Sequence, residues 1–163
     1  MNEPTKIDVT LQISSVKTIK FSVNNTDEIL KMDRLAFNFN ISFASSIEPS
    51  KKIIAVDILG DIYTEKELLN KVSELASRIE YRIMNFDDLI KNINNQLVIP
   101  DQLMIMLTSI SLSTTRGILA AKLEGSALEG VHLPVIDPKS FKPINFQPIN
   151  KQLIKNNKQA TTK

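Results

Sequence analysis

The chain contains no cysteine, one histidine and four glycines among its 163 residues. Without cysteine it can build neither a disulfide framework nor a thiolate metal site, and a cysteine nucleophile is excluded. His132 alone cannot supply a histidine-based metal centre. Four glycines leave no G-x-G-x-x-G or G-x-x-x-x-G-K loop to cradle a phosphate, and no G-x-S-x-G elbow occurs. No cofactor is expected. Charge of one sign is also scarce. Setting aside the four lysines of 151–163 leaves 16 basic against 18 acidic residues, so the body is slightly acidic. No dense Lys/Arg stripe is present, and nucleic acid is not an expected partner. The first six residues are polar and do not read as a secretory signal. No apolar run reads as long enough to span a bilayer, so a cytoplasmic chain without membrane insertion is expected.

What is present fits one domain over 1–150, followed by a flexible basic tail over 151–163. The first half is written in period two. Ile7, Val9, Leu11 and Ile13 alternate with polar residues, and the same odd phase resumes at Ile19, Phe21 and Val23. This predicts one long bent strand, in preference to two strands joined by a bulge. Residues 24–34 read as a connection with room for a helical turn. Leu35, Phe37, Phe39, Ile41 and Phe43 form a second alternating strand, and 48–51 (Glu-Pro-Ser-Lys) supply hairpin turn chemistry. A third strand over 52–63 presents Ile54, Val56, Ile58 and Ile62 to the core. After a connection over 64–72, a fourth presents Ile79, Tyr81 and Ile83. Four antiparallel strands with one apolar and one polar face follow.

The second half changes period. Pro100 and Asp101 begin a helix, with Leu103, Met106, Leu107 and Ile110 at helical spacing. Met104, Ile105 and Leu112 lie outside that stripe, so the helix is apolar over most of its circumference and needs cover on more than one side. A second subunit supplies that cover in one reading, with Leu103, Leu107, Ile110, Ser111 and Thr114 at the interface. In the other, this is an interior helix of a monomer. Gly117 interrupts the helix, which resumes over 118–128. Pro134, Pro138, Pro143 and Pro148 then force an extended surface segment carrying Leu133, Val135, Ile136 and Phe141. It either caps the core or helps to form a groove. Asp87-Asp88, the pair Asp57 and Asp61, and His132 are the candidate catalytic groups. Each reads more simply as a solvated, capping or packed residue, and no enzyme is expected.

Over 11–141 the chain resembles the SecB family of export chaperones. The order of elements agrees: a long bent strand, a crossover, three further antiparallel strands and a long helix. Leu107-Thr108-Ser109-Ile110 through Arg116-Gly117 is similar to the family's helix ending in Arg-Gly. Leu133-Pro134-Val135-Ile136-Asp137-Pro138 with Phe141 resembles the Leu-Ala-Pro-Val-Asn-Phe-Asp stretch that follows it. The resemblance implies an α+β fold, a four-stranded antiparallel sheet with a long helix and shorter helices on one side, assembled as a dimer of dimers. It implies ATP-independent holding of non-native polypeptides in apolar grooves of a bacterial cytoplasmic protein. Client contacts are then expected at Phe21, Leu30, Met104, Met106, Leu133, Val135, Ile136 and Phe141. The family's partners are the SecA motor in protein export or, in other members, an antitoxin. Two departures stand out. The body is less acidic than the family's, which weakens the implied docking to SecA, and the segment from Gly117 to Leu133 is longer. A dedicated adaptor with one ligand is the competing reading.

Overall fold

Alternating side chains make half-buried strands wherever an apolar face finds cover, and four such strands form the sheet in the computed structural model, which describes residues 8–24, 37–64, 70–93 and 96–137. They are β1 (Leu11–Val23), β2 (Phe37–Glu48), β3 (Ile53–Thr64) and β4 (Lys71–Ile83). All neighbours are antiparallel, in the order β1-β4-β3-β2. Consecutive strands β1 and β2 therefore sit at opposite edges. The expected connection over 24–34, and with it Leu30 and Leu35, lies outside the described residues apart from Asn24.

The β2–β3 hairpin keeps register without interruption from Phe37↔Thr64 to Glu48↔Ile53. Its turn is a single 3-10 turn, Pro49–Lys51, closed by Lys52 in the left-handed region with its N–H bonded to the Pro49 carbonyl at 3.0 Å. Strand β4 begins at Lys71, earlier than the sequence pattern implies, so the connection after β3 is shorter than the 64–72 expected.

β1 keeps the expected phase at Leu11, Ile13, Phe21 and Val23 and departs from it between them. It is one strand, but its register against β4 shifts between Ile13 and Ser15 and again between Thr18 and Lys20. Each irregularity inserts a residue and flips the side chains that follow. Pairing puts Leu11, Ile13, Val16, Thr18, Phe21 and Val23 on the face shared with Ile83, Tyr81, Ile79, Ser77, Leu75 and Ser73. Ile19, expected on the core face, falls in the second bulge and is 58% exposed.

After β4 come a one-turn helix α1 (Phe86–Leu89) and a small hairpin of β5 (Lys91–Ile93) and β6 (Gln96–Val98). The long helix α2 (Asp101–Leu123) then lies across β3 and β4. It runs straight through Gly117, where a break was expected, and stops at Leu123. Nine of its residues are buried: Leu103, Met104, Leu107, Thr108, Ser111, Leu112, Thr115, Leu119 and Leu123. By length and composition α2 is also long and apolar enough to cross a membrane, which corrects the expectation that no such run exists. Here its apolar face is spent on the sheet.

Two apolar clusters fill the interface. One gathers Ile54, Val56, Ile79, Tyr81 and Ile83 with Leu103, Met104 and Leu107. The other gathers Phe37, Ile62, Val72 and Leu75 with Leu119, Leu123, Leu128, Val131 and Leu133. Between them runs a short polar seam. Thr115 Oγ1 donates to the Ser111 carbonyl at 2.8 Å, so Ser77 donates to Thr115 at 2.6 Å. Tyr81 donates to the Leu107 carbonyl at 3.2 Å and accepts from Ser111 at 2.7 Å. Burial pushes the Tyr81 phenol above its ordinary value.

Candidate functional site

A helix about 10 Å wide cannot cover a four-stranded sheet whose strands are nearly 5 Å apart. α2 sits on the middle pair, and both flanks keep apolar surface in water. On the β1 flank, Ile13 is 43% and Val16 46% exposed although both point to the helix side. On the β2 flank, Phe39, Ile41, Phe43 and Ile47 are half-buried, packed against the two clusters but not enclosed by them. β2 is an edge strand of 12 residues in unbroken register, the geometry that accepts an added strand, whereas the two bulges of β1 spoil its edge for that purpose.

Two contacts show which side of α2 faces which flank. Lys122 Nζ lies 5.5 Å from the centroid of the Phe21 ring on β1. Ile110, Thr114 and Ile118 continue the same i, i+4 row and are half-buried. On the other side Arg116 Nη2 donates to the Pro134 carbonyl at 3.0 Å and ties the helix to the extended segment over 131–137. That segment is anchored by Leu133, which is buried against Gly60 of β3. A Cβ at Gly60 would come 3.2 Å from Leu133 Cδ2, so the glycine is the notch that receives the leucine. Two residues later Val135 is 88% exposed.

The expected residues divide among these places. Phe21 is half-buried under Lys122. Met104 belongs to the closed core and Met106 to its half-buried margin. Leu133 is buried in its notch, Val135 is exposed and Ile136 half-buried. Phe141 and Leu30 lie outside the described residues. Met104 and Met106 pack in one cluster while Phe21 and Leu133 pack in the other, so these residues do not line one furrow. Of the expected interface, Leu103, Leu107 and Ser111 are taken up inside the chain's own core, and Ser111 meets Tyr81 of the sheet, not a second helix. Ile110 and Thr114 keep partial exposure. Sequence reasoning missed Val16, because the bulge reverses its phase, and Gly60, whose role depends on a residue 73 positions away.

The candidate catalytic groups are scattered. Asp87 pairs with Lys52 at 2.6 Å, and Asp88 and His132 stand exposed on different segments. Asp57 receives both Nε and Nη2 of Arg78 at 2.7 Å. Asp61 meets Lys71 at 3.4 Å and the Tyr63 hydroxyl at 3.3 Å. No group of three metal-ligating side chains occurs among the described residues.

The face of the sheet away from α2 carries a charge ladder. Glu74 accepts from Lys20 at 2.8 Å and Lys71 at 3.0 Å, which hold its carboxyl below the usual range, Lys20 contributing more. Glu80 faces Lys17 at 3.6 Å. Ile19, Ala44, Leu59 and Ala76 line a shallow hollow of about 230 Å³ among these pairs. The acids of this face are each met by a base.

These features define an α+β protein with a SecB-like fold. The chain is similar to a SecB-like chaperone of Mycobacterium tuberculosis, solved in complex with a ChAD peptide from an antitoxin. The TM-score is 0.50 at 10% identity, over 77% of this chain and 87% of that one. A protein of unknown function from Streptococcus agalactiae aligns at TM-score 0.32 and 10% identity, over 79% of this chain and 100% of that one. No family model matches the sequence. No curated protein matches it either.

Proposed function

We propose that the protein is an ATP-independent holdase that keeps non-native polypeptides from aggregating, and that it works as a homo-oligomer, a dimer of dimers. The observation that carries this reading is the apolar surface left on both flanks of α2 in a chain with a SecB-like fold. The flanks suit different tasks. The β1 flank, with Ile13, Val16, Ile110 and Thr114, is aliphatic and self-complementary in character, and suits a second copy. The β2 flank offers the regular outermost strand of the sheet beside a row of half-buried Phe and Ile side chains, and suits an extended client. Strand addition supplies backbone hydrogen bonds indifferent to sequence, while shallow apolar contacts reward any large side chain. Each large client side chain buried contributes about 1.5–3 kcal/mol gross. Several together offset the cost of ordering the client without nucleotide.

Because the acids of the far face are neutralised within the sheet, holding clients is better supported than delivery to a docking partner such as SecA through an acidic surface. A second reading is a dedicated adaptor for one partner, an antitoxin for example. The peptide seen on the Mycobacterium tuberculosis protein favours it. Light scattering from an unfolded model substrate tests the main reading. Suppression at stoichiometric ratio without ATP is expected, and unrelated unfolded chains should compete. Absence of protection sinks the holdase reading, and protection of one partner that unrelated chains cannot displace selects the adaptor.

A further inference from the structure

Arg116 lies at the joint between α2 and the extended segment, and its guanidinium is only half used. Nη2 donates to the Pro134 carbonyl at 3.0 Å, while Nε is buried and meets no acceptor among the described residues. Nε and Nη2 form the edge of a guanidinium that grips a carboxylate with two parallel bonds. The same molecule shows that grip completed: Arg78 places Nε and Nη2 on the two oxygens of Asp57, both at 2.7 Å. In Arg116 a carbonyl with one oxygen stands where Arg78 has a carboxylate with two. α2 supplies no acid to finish the pair. Positions three and four away along α2 are Leu112, Ser113, Leu119 and Ala120, and α2 carries no carboxylate beyond Asp101.

The group occupying that edge is held through two buried side chains, Val131 and Leu133, while Pro134 itself is exposed. It belongs to an extended segment whose anchor is Leu133 in the Gly60 notch, and Val135 just beyond is exposed. A buried charged donor without an acceptor is costly, and two charge-assisted bonds replace one carbonyl bond at a gain. A ligand able to fill the notch and present a carboxylate would exchange one buried aliphatic group for another and one carbonyl bond for two charge-assisted ones.

We propose that Arg116 is a carboxylate receptor for bound polypeptide: a client segment with an aliphatic residue followed directly by Asp or Glu takes the place of Leu133 and Pro134, the aliphatic group in the Gly60 notch and the carboxylate across Nε and Nη2. This rests on the polypeptide-holding reading and adds a preference to it. The protein then selects acidic-aliphatic segments within otherwise apolar clients, with Arg116 and Gly60 setting the choice.

The test uses the full chain and two fluorescent extended peptides identical except for Leu-Asp in one and Leu-Asn in the other. Anisotropy at low ionic strength should show the Asp peptide bound about tenfold more tightly, the ratio expected for a charged bidentate contact over a neutral one. Arg116→Gln should bind the two peptides alike. Arg116→Lys, which keeps charge but not the planar edge, should recover less than half of the preference on a logarithmic scale. Equal binding of both peptides by the unaltered protein overturns the proposal and leaves the holdase reading standing. So does an acid preference that survives in Arg116→Gln. If neither peptide binds, both the proposal and the holdase reading are overturned.

Discussion

Tyr81 and Ser111 meet at 2.7 Å in the seam between sheet and helix, and Ser77 meets Thr115 one turn along at 2.6 Å. Small hydroxyl side chains let α2 approach the sheet closely, and each finds a partner there, as buried polar groups must. Tyr81→Phe removes one hydroxyl and should cost about 1 kcal/mol, read from urea denaturation. The same phenol predicts a pH effect. Its folded pKa is raised by burial, so the folded state holds the proton more tightly than the unfolded state does. The resulting stability is complete below the ordinary tyrosine value near 10 and is lost as pH climbs through the raised folded value. Denaturation series from pH 9 to 11.5 should show a smaller alkaline loss in Tyr81→Phe than in the unaltered protein. Identical slopes would remove Tyr81 from the account. The sequence singles out Tyr81 as a core residue through its alternation with Glu80 and Arg82. It does not place Ser111, since a serine in an apolar helix fits a helix–helix contact and a helix–sheet contact equally well.

At the scale of elements, the strands were legible wherever one periodicity persists. β2, β3 and the end of β4 follow from Phe37, Ile41, Ile54, Val56, Ile79 and Ile83 because pairing and burial demand the same alternation. β1 was legible as a strand and in phase at both ends, but not between its two bulges. A bulge costs one residue and leaves no composition mark, so Val16 looks polar-facing in the sequence and lies apolar-facing in the fold. The β5–β6 hairpin, with strands of three residues, is too short to show a period at all. In α2, side chains apolar nearly all round hide which face turns inward. Gly117 misled for another reason: glycine lowers helix propensity, but tertiary packing before and after it at Thr115 and Leu119 carries the helix through. A Cβ at position 117 meets nothing within 4 Å. Gly117→Ala should therefore raise stability by about 0.8–1 kcal/mol, seen as a higher urea midpoint at unchanged slope. A loss of stability would mean that the glycine serves a contact the isolated chain does not show.

For the whole molecule, the apolar surface exceeds what one copy encloses, and its distribution is uneven. The far face is a ladder of ion pairs around a shallow hollow, while the helix side keeps an exposed patch on β1 and a half-buried apolar row on β2. The sequence shows the surplus as an excess of apolar residues around 101–123. It does not show that much of that helix is satisfied at home, with the remainder lying on β1 and β2. Self-association belongs to the β1 flank on this account. Val16→Asp places a charge in the exposed patch without touching the core, so it should lower the molar mass in solution by light scattering while the circular dichroism spectrum stays the same. An unchanged mass would move the self-association surface elsewhere.

The central claim is that the β2 flank receives client polypeptide. Hydrogen–deuterium exchange of the full chain, with and without a saturating unfolded client, tests it most directly, because strand addition protects the amides along the outer edge of β2. The account predicts slower exchange within 39–47 and little change at 74–80 in the centre of the sheet. Protection absent from β2 in the presence of bound client would contradict it.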